Sequence, residues 1–397
     1  MNHLRNLALS LPIALCALLP PTSASAQSYN ELREISAAQK AGVNIQALIQ
    51  PAATSTVLQQ AAKSFFAAYQ QATLDANATA TLLNLLTDNV EMVFSGQPGE
   101  MLPFAGTFVG HDGVANVMKA IRDNSKTESF QVRETLFTTF AVDFSLLPQN
   151  PLIPQDNRVA AILQEVRTAN RLERRTYRLD MVAWLTVEND GKISKVQFLY
   201  DSYVPSQAFV GAPKLIVNPD IYPAIAPLRD PNADPVVTLT TVMDFLGRFG
   251  ADTATPFDCA FSSSKQVMDP NVAISFAGDP KLLPWTSDQI QQGIPSTLNV
   301  LCTLISNSLA RVFDIEEVAV GADRVIANAF EWRTAVATHR GYDYHGDHGL
   351  QILMTARNHL LTSLKSVYDS VSAATAVQGV DPFYVDPFNW RIPAGQR

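Results

Sequence analysis

Charge is scarce in this 397-residue chain: only 17% of the residues carry it, 29 basic against 37 acidic, for a formal net charge of -8. No Lys/Arg-rich run occurs, which together with the acidic balance argues against electrostatic binding of nucleic acid. Long apolar runs are equally scarce. Beyond the first 26 residues no stretch approaches 18 uninterrupted apolar residues, so no stable membrane insertion is expected. The sequence also lacks a Gly-x-Ser-x-Gly elbow, a phosphate loop and a dinucleotide fingerprint, and no cofactor is expected. What it has in quantity is hydrophobic residues, 47% of the chain. At this length that suffices for two or three domains, each with its own core.

The amino terminus reads as a leader. Arg5 precedes a mostly apolar stretch from Leu7 to Leu19, and Ala24-Ser25-Ala26 stands before Gln27, the layout of a secretory signal peptide. Cleavage near Ala26 would yield a secreted or periplasmic product. Cysteine is nearly absent: after the leader only Cys259 and Cys302 remain. In an oxidising compartment they would persist as a bridge worth roughly 4 kcal/mol in the chain-entropy model; alternatively they are two small buried thiols. Two cysteines alone make no zinc site.

An internal repeat organises the rest. Val90-Glu91-Met92-Val93-Phe94-Ser95-Gly96-Gln97-Pro98 is echoed by Val272-Ala273-Ile274-Ser275-Phe276-Ala277-Gly278-Asp279-Pro280, and Pro103-Phe104 by Pro284-Trp285. Arg158-Val159-Ala160-Ala161 with Glu165-Val166-Arg167-Thr168 matches Arg324-Val325-Ile326-Ala327 with Glu331-Trp332-Arg333-Thr334. Both copies close on Tyr-Asp-Ser, at 200–202 and 368–370. Matches in the same order imply two copies of one domain. The resulting division is a leader at 1–26, a helical segment at 27–54, repeat 1 at 55–210, a Pro-rich linker at 211–235, repeat 2 at 236–377 and a tail at 378–397.

Within repeat 1, Leu58, Ala62, Phe65, Phe66 and Tyr69 recur at helical spacing. Leu82, Leu83, Leu85 and Leu86 suggest a short helix ending near Asp88-Asn89, and Val114, Val117, Met118 and Ile121 mark a third. Strand-like stretches run over Val90–Phe94, Phe130–Phe140, Arg158–Thr168, Thr176–Val187 and Ile193–Tyr200, with Asn189-Asp190-Gly191 as a hairpin turn. Repeat 2 has Val242, Phe245, Leu246 and Phe249 on its first helix and Ile294, Leu298, Leu301 and Ile305 on its third. Helices followed by a run of strands indicate α+β layers.

Leu85-Leu86-Thr87-Asp88-Asn89-Val90, Pro103-Phe104-Ala105-Gly106-Thr107-Phe108, Gly110, Asp112-Gly113-Val114, and Asp190-Gly191-Lys192-Ile193 through Tyr200-Asp201 resemble a SnoaL-like domain, a branch of the nuclear-transport-factor-2-like superfamily. The resemblance covers most of residues 57–203; repeat 2 is recognised mainly through repeat 1. It implies two cone-shaped α+β domains, each a curved antiparallel sheet wrapped on about three N-terminal helices and packed through their sheets as an intramolecular pseudo-dimer. It also implies an apolar small molecule in a cone-shaped pocket. An enzyme of this kind would be a cofactor-independent isomerase, cyclase or lyase, with its acid-base chemistry in repeat 1; a non-catalytic scaffold with side-chain-filled cones is the alternative.

The resemblance also points to site residues. Steroid-isomerase relatives carry a shuttle carboxylate where this chain has Phe94 and Phe276, so that chemistry is not expected. Asp180 matches a strand position for a protonated, hydrogen-bond-donating acid if it shares a cavity-lining face with Val182 and Trp184; otherwise it is an edge-strand aspartate in water. Asp201 and Asp369 end their strands where cyclase relatives place an acid-base aspartate, or else they cap a turn. Tyr69 either presents its hydroxyl to the cavity or packs in the core. Phe94, Trp184, Phe198, Glu165 and Arg167 are expected to line the ligand site, although recurrence of the last pair as Glu331 and Arg333 also suits an ion-paired contact between the two sheets, with Phe330 and Trp332 then lining the second cavity. His339, Asp343, His345, Asp347 and His348 crowd one Gly-rich loop, but the resemblance carries no metal site and none is expected.

Overall fold

The computed structural model describes residues 55–96, 102–142, 152–170, 174–210, 230, 232–254, 259–344 and 349–379. The leader, the 27–54 segment, nearly all of the Pro-rich stretch and the residues beyond 379 lie outside the described residues, as do His345, Asp347 and His348.

Helix α1 (Ser55–Leu74) buries Leu58, Ala62, Phe65, Phe66 and Tyr69 along one stripe, as a 3.6-residue period requires. A 3-10 turn and α2 (Thr79–Leu83) lead into β1 (Leu86–Phe94). Leu86, expected at a helix end, is already in the strand. Next come β2 (Gly106–Val109) and α3 (Gly110–Asn124), which buries Val114, Val117, Met118 and Ile121. The strands β3 (Ser125–Leu136), β4 (Thr138–Val142), β5 (Leu152–Pro154), β6 (Arg158–Ala169), β7 (Thr176–Val187) and β8 (Ile193–Tyr200) follow, then α4 (Tyr203–Val210). The second half repeats the plan with α5 (Pro235–Ala254), β9 (Met268–Phe276), β10 (Gln291–Gln292), α6 (Ile294–Ser306), β11 (Ser308–Val320), β12 (Arg324–Ala335), β13 (Gly341–Tyr344), β14 (Leu350–Arg357), β15 (Leu360–Val367) and α7 (Ser370–Gln378).

The first sheet has the order β2-β1-β8-β7-β6-β3, and the second β10-β9-β15-β14-β12-β11-β4-β5 with β13 on β12. Neither is purely antiparallel: β1 runs parallel to β8, and β9 parallel to β15. The helix between the first strand and the long meander lets the last strand return beside the first in the same direction. The expected single strand from Phe130 to Phe140 is divided. After Leu136 the chain leaves the first sheet, and β4 pairs with β11 of the second half, with Phe140 opposite Val318. Phe140 is buried in the second core. The loop-ending bridge is settled as well, since Cys259 and Cys302 form a disulfide.

Each sheet wraps its concave face on its own helices, and the two convex faces meet. Leu136, Ala160, Ile162, Val182, Trp184 and Leu199 from one half pack there on Ala319, Ile326, Leu353 and Val367 from the other. The polar contacts across this seam come in reciprocal pairs. Arg158, the first residue of β6, binds Glu317 of β11 at 2.6 Å; Arg324, the first residue of β12, binds Glu134 of β3 at 2.6 Å. Asp201 accepts from the Ser370 hydroxyl at 2.7 Å, and Asp369 accepts from the Ser202 hydroxyl. Position i on one copy meets j on the other, and j meets i, as in a two-fold dimer. The halves thus form an intramolecular pseudo-dimer. Gly96 and Gly278 share a positive φ (+109° and +122°), and a Cβ on either would lie 2.8 Å from Leu102 or Leu283.

Candidate ligand cavity

The alternation of β6 decides what faces the first cone. Val159, Ala161, Leu163, Glu165 and Arg167 point inward, while Ala160 and Ile162 point to the seam. Glu165 and Arg167 therefore do not bridge the sheets; that role falls to Arg158 and Arg324. They pair with each other inside the cone, Arg167 Nε and Nη2 reaching Glu165 Oε1 and Oε2 at 2.8 and 2.7 Å. Arg167 Nη2 also donates to the Tyr69 hydroxyl at 2.9 Å, and the guanidinium lies 4.9 Å from the centre of the Phe104 ring. Both charged side chains are fully buried. Although burial opposes its charge, Glu165 above all keeps the Arg167 guanidinium protonated well above its ordinary value. Burial pushes the hydroxyls of Tyr69 and Tyr200 well up and that of Tyr177 to about 12.

This cone is filled. Phe198 stacks on Phe94 with ring centres 4.7 Å apart and lies 4.8 Å from Tyr69, while Tyr69 in turn lies 5.4 Å from Phe130. Phe94, Phe198 and Tyr69 are each at most 1% exposed. They form a plug where the sequence suggested a ligand.

Asp180 and Trp184 do share a face of β7 with Val182, as expected, but it is the convex one. The inward positions of that strand are Tyr177, Leu179, Met181, Ala183 and Leu185. Asp180 pairs with Arg178 at 2.9 Å and accepts from Gln164 at 3.1 Å. The Trp184 indole donates across the seam to Gln351 at 2.8 Å. Asp201 is a cap and a tether, accepting from the Tyr203 amide at 3.1 Å as well as from Ser370. Asp180 and Asp201 border a small space between the two halves, with about 350 Å³ free of atoms, together with Arg178, Lys365 and Val367, whereas Trp184 does not line it. In the second half Phe330 and Trp332 likewise lie opposite the inward Glu331 and Arg333, with Trp332 36% exposed.

The second cone is hollow. Aligning the two Tyr-Asp-Ser closures sets Ser366 against Phe198, and the strand register agrees: Phe94 lies opposite Phe198, and Phe276 opposite Ser366. On the first helix Phe249 takes the place of Tyr69. With the plug ring reduced to a hydroxymethyl group, Phe245, Phe249, Phe276, Leu301, Leu304, Phe313 and Ile352 surround a cavity with about 380 Å³ of atom-free space. Only about 30 Å³ of it is wide enough for the centre of a water molecule, so it is a narrow slot. Its polar groups are Ser366 and the Glu331–Arg333 pair. Arg333 Nη2 reaches Glu331 at 2.7 Å, and Nη1 donates to Ser308 at 3.0 Å.

Tandem cone-shaped α+β domains, one plugged and one hollow, are the class that this fold and cavity define. The chain is similar to solved nuclear-transport-factor-2-like structures, each match spanning about a third of it. One such protein from Burkholderia xenovorans is 20% identical over 39% of this chain and 96% of its own, with a TM-score of 0.28. Another, from Burkholderia pseudomallei, is 11% identical over 36% and 97%, with a TM-score of 0.30. A Mycobacterium tuberculosis protein in complex with estradiol-17beta-hemisuccinate is 17% identical over 36% and 94%, with a TM-score of 0.26. No protein-family model matches the chain, and no curated protein matches it significantly.

Proposed function

We propose that this protein binds a small, mainly apolar molecule in its second cone, and that the first cone serves as its filled packing partner. The observation that carries this reading is the exchange of Phe198 for Ser366. It leaves an apolar slot with a buried ion pair in its wall, the composition of a small-molecule site. The scaffold reading is kept for the first half alone. Binding is assigned rather than turnover. The carboxylates expected to move protons, Asp180 and Asp201, are engaged on the convex face and at the domain joint, and Glu331 is held by Arg333. Isomerase or cyclase chemistry in the first half is not assigned, because Asp180 and Asp201, which border the small space between the halves, are held there by Arg178, Gln164, Ser370 and the Tyr203 amide. The leader-like residues 1–26 support export as a further part of the reading, to be checked by amino-terminal sequencing of the product from the secreted fraction.

The test uses 2-naphthol, a small fluorescent apolar probe, titrated into the full chain. Ser366→Phe restores the plug and is expected to weaken binding at least about tenfold, since the ring takes the volume a ligand would fill. Native mass spectrometry of protein purified from its own source should show a retained small molecule that the variant lacks. Unchanged probe affinity in a folded Ser366→Phe protein would remove the second cone as the site.

A further inference from the structure

The slot is narrower than any ligand of useful size, so entry requires one wall to move. The disulfide sits on that wall. Cys302 lies in the middle of α6, one residue from Leu301 and two from Leu304, both of which line the slot. Cys259 follows α5, whose Phe245, Leu246 and Phe249 form the facing wall. The segment after Cys259 is anchored to α5 independently of the bridge: Phe261 stacks on Phe249 at 6.0 Å, and Asp252 accepts from the Ser264 amide at 2.7 Å. Helix α6 is pinned at both ends: Gly293 N–H donates to Val272 at 2.8 Å before it, and Val336 N–H donates to Asn307 at 3.0 Å after it, where the chain enters β11. At its middle the covalent tie to the α5 side is the bridge itself.

Resting on the binding reading above, we propose that the Cys259–Cys302 disulfide is a redox latch that holds α6 against α5 and closes the second cone. Cys259 is exposed and Cys302 half-buried, so a dithiol reductant meets the Cys259 sulfur first. Its thiolate attacks Cys259 Sγ, the S–S bond breaks, and Cys302 leaves as a thiolate that takes up a proton. The second thiol of the reductant, deprotonated, then attacks the mixed disulfide, and Cys259 is released as a thiol. Two electrons pass to the protein, and the reductant ends as a cyclic disulfide. Freed at its middle, α6 bows outward between its two pinned ends and widens the slot.

The experiment is stopped-flow association of 2-naphthol with the oxidised full chain, with the chain reduced by dithiothreitol, and with a Cys259→Ala/Cys302→Ala variant. The latch predicts association at least about fivefold faster in the reduced protein, where reoxidation reverses it, and in the variant, where oxidant changes nothing, as for other gated sites. Equal rates, with binding still weakened about tenfold by Ser366→Phe, would overturn the latch and leave the cavity reading intact. Probe binding indifferent to Ser366→Phe would overturn both. Should reduction erase the near-ultraviolet circular dichroism signal, the bridge is a staple of the fold, and the latch fails even if the variant does not fold.

Discussion

At position 366 a hydroxyl stands where the first half has a phenyl ring, and that one difference separates a plugged cone from a hollow one. Side chains with apparent chemical promise lie elsewhere. Asp180, paired with Arg178 on the convex face, should tolerate Asp180→Asn with a stability loss of about 1 kcal/mol or less, because the pair retains solvent access. Probe affinity should be unchanged, and a tenfold loss in the same titration would contradict the assignment of the cavity. The buried tyrosines give a pH signature. Burial raises Tyr177 to about 12 and Tyr69 and Tyr200 further, whereas in the unfolded chain each has the ordinary value of 10.0. Their contribution is therefore fully present below pH 10 and is lost as pH rises from there through 12, as the unfolded form ionises first. Urea midpoints should fall across that window. Absorbance at 295 nm should show these three hydroxyls ionising only as the first half unfolds; smooth ionisation in a folded protein would contradict the closed cone.

Among the elements, β4 crosses between the halves. It leaves the first half after Leu136, extends the second sheet and inserts Phe140 into the second core. The expected strand from Phe130 to Phe140 had the right residues and the wrong continuity, because alternating apolar residues specify a strand without specifying its partner. Phe140→Ala should cost about 3–5 kcal/mol, the range for deleting a buried phenylalanine. Since its ring belongs to the second core, the loss should fall on that half. Hydrogen exchange should show β11 and β12 losing protection before β6 and β7, and the reverse order would place β4 in the wrong core.

For the whole molecule, two ionic contacts, Arg158–Glu317 and Arg324–Glu134, obey a two-fold relation inside one chain. Arg158→Glu would set two carboxylates against each other at a largely buried seam. Breaking one side of such a pair costs about 3–5 kcal/mol. The double swap Arg158→Glu with Glu317→Arg should recover at least about half of that, because the pairing is restored with its sign reversed. Urea unfolding of the single and double variants measures it, and a double variant no better than the single one would mean that the pair is incidental.

The repeat, the α+β plan of each copy and the face that each strand residue shares with its neighbours are all legible in the order of the residues. Those follow from order and from periods of 2 and 3.6, which are local. Alternation puts Asp180, Val182 and Trp184 on one face of β7 and Glu165 and Arg167 on one face of β6. Which face of the sheet is concave follows from how the halves pack. In a pseudo-dimer both faces of a central strand are apolar, one against helices and one against the other sheet, so composition alone does not separate pocket from seam. The open cone was nonetheless partly legible: setting Tyr200-Asp201-Ser202 on Tyr368-Asp369-Ser370 puts Phe198 on Ser366. That the missing ring leaves space, instead of being filled by a neighbour, depends on how Phe245, Phe249, Phe276 and Phe313 pack in three dimensions, and packing is not a property of any one segment of the chain.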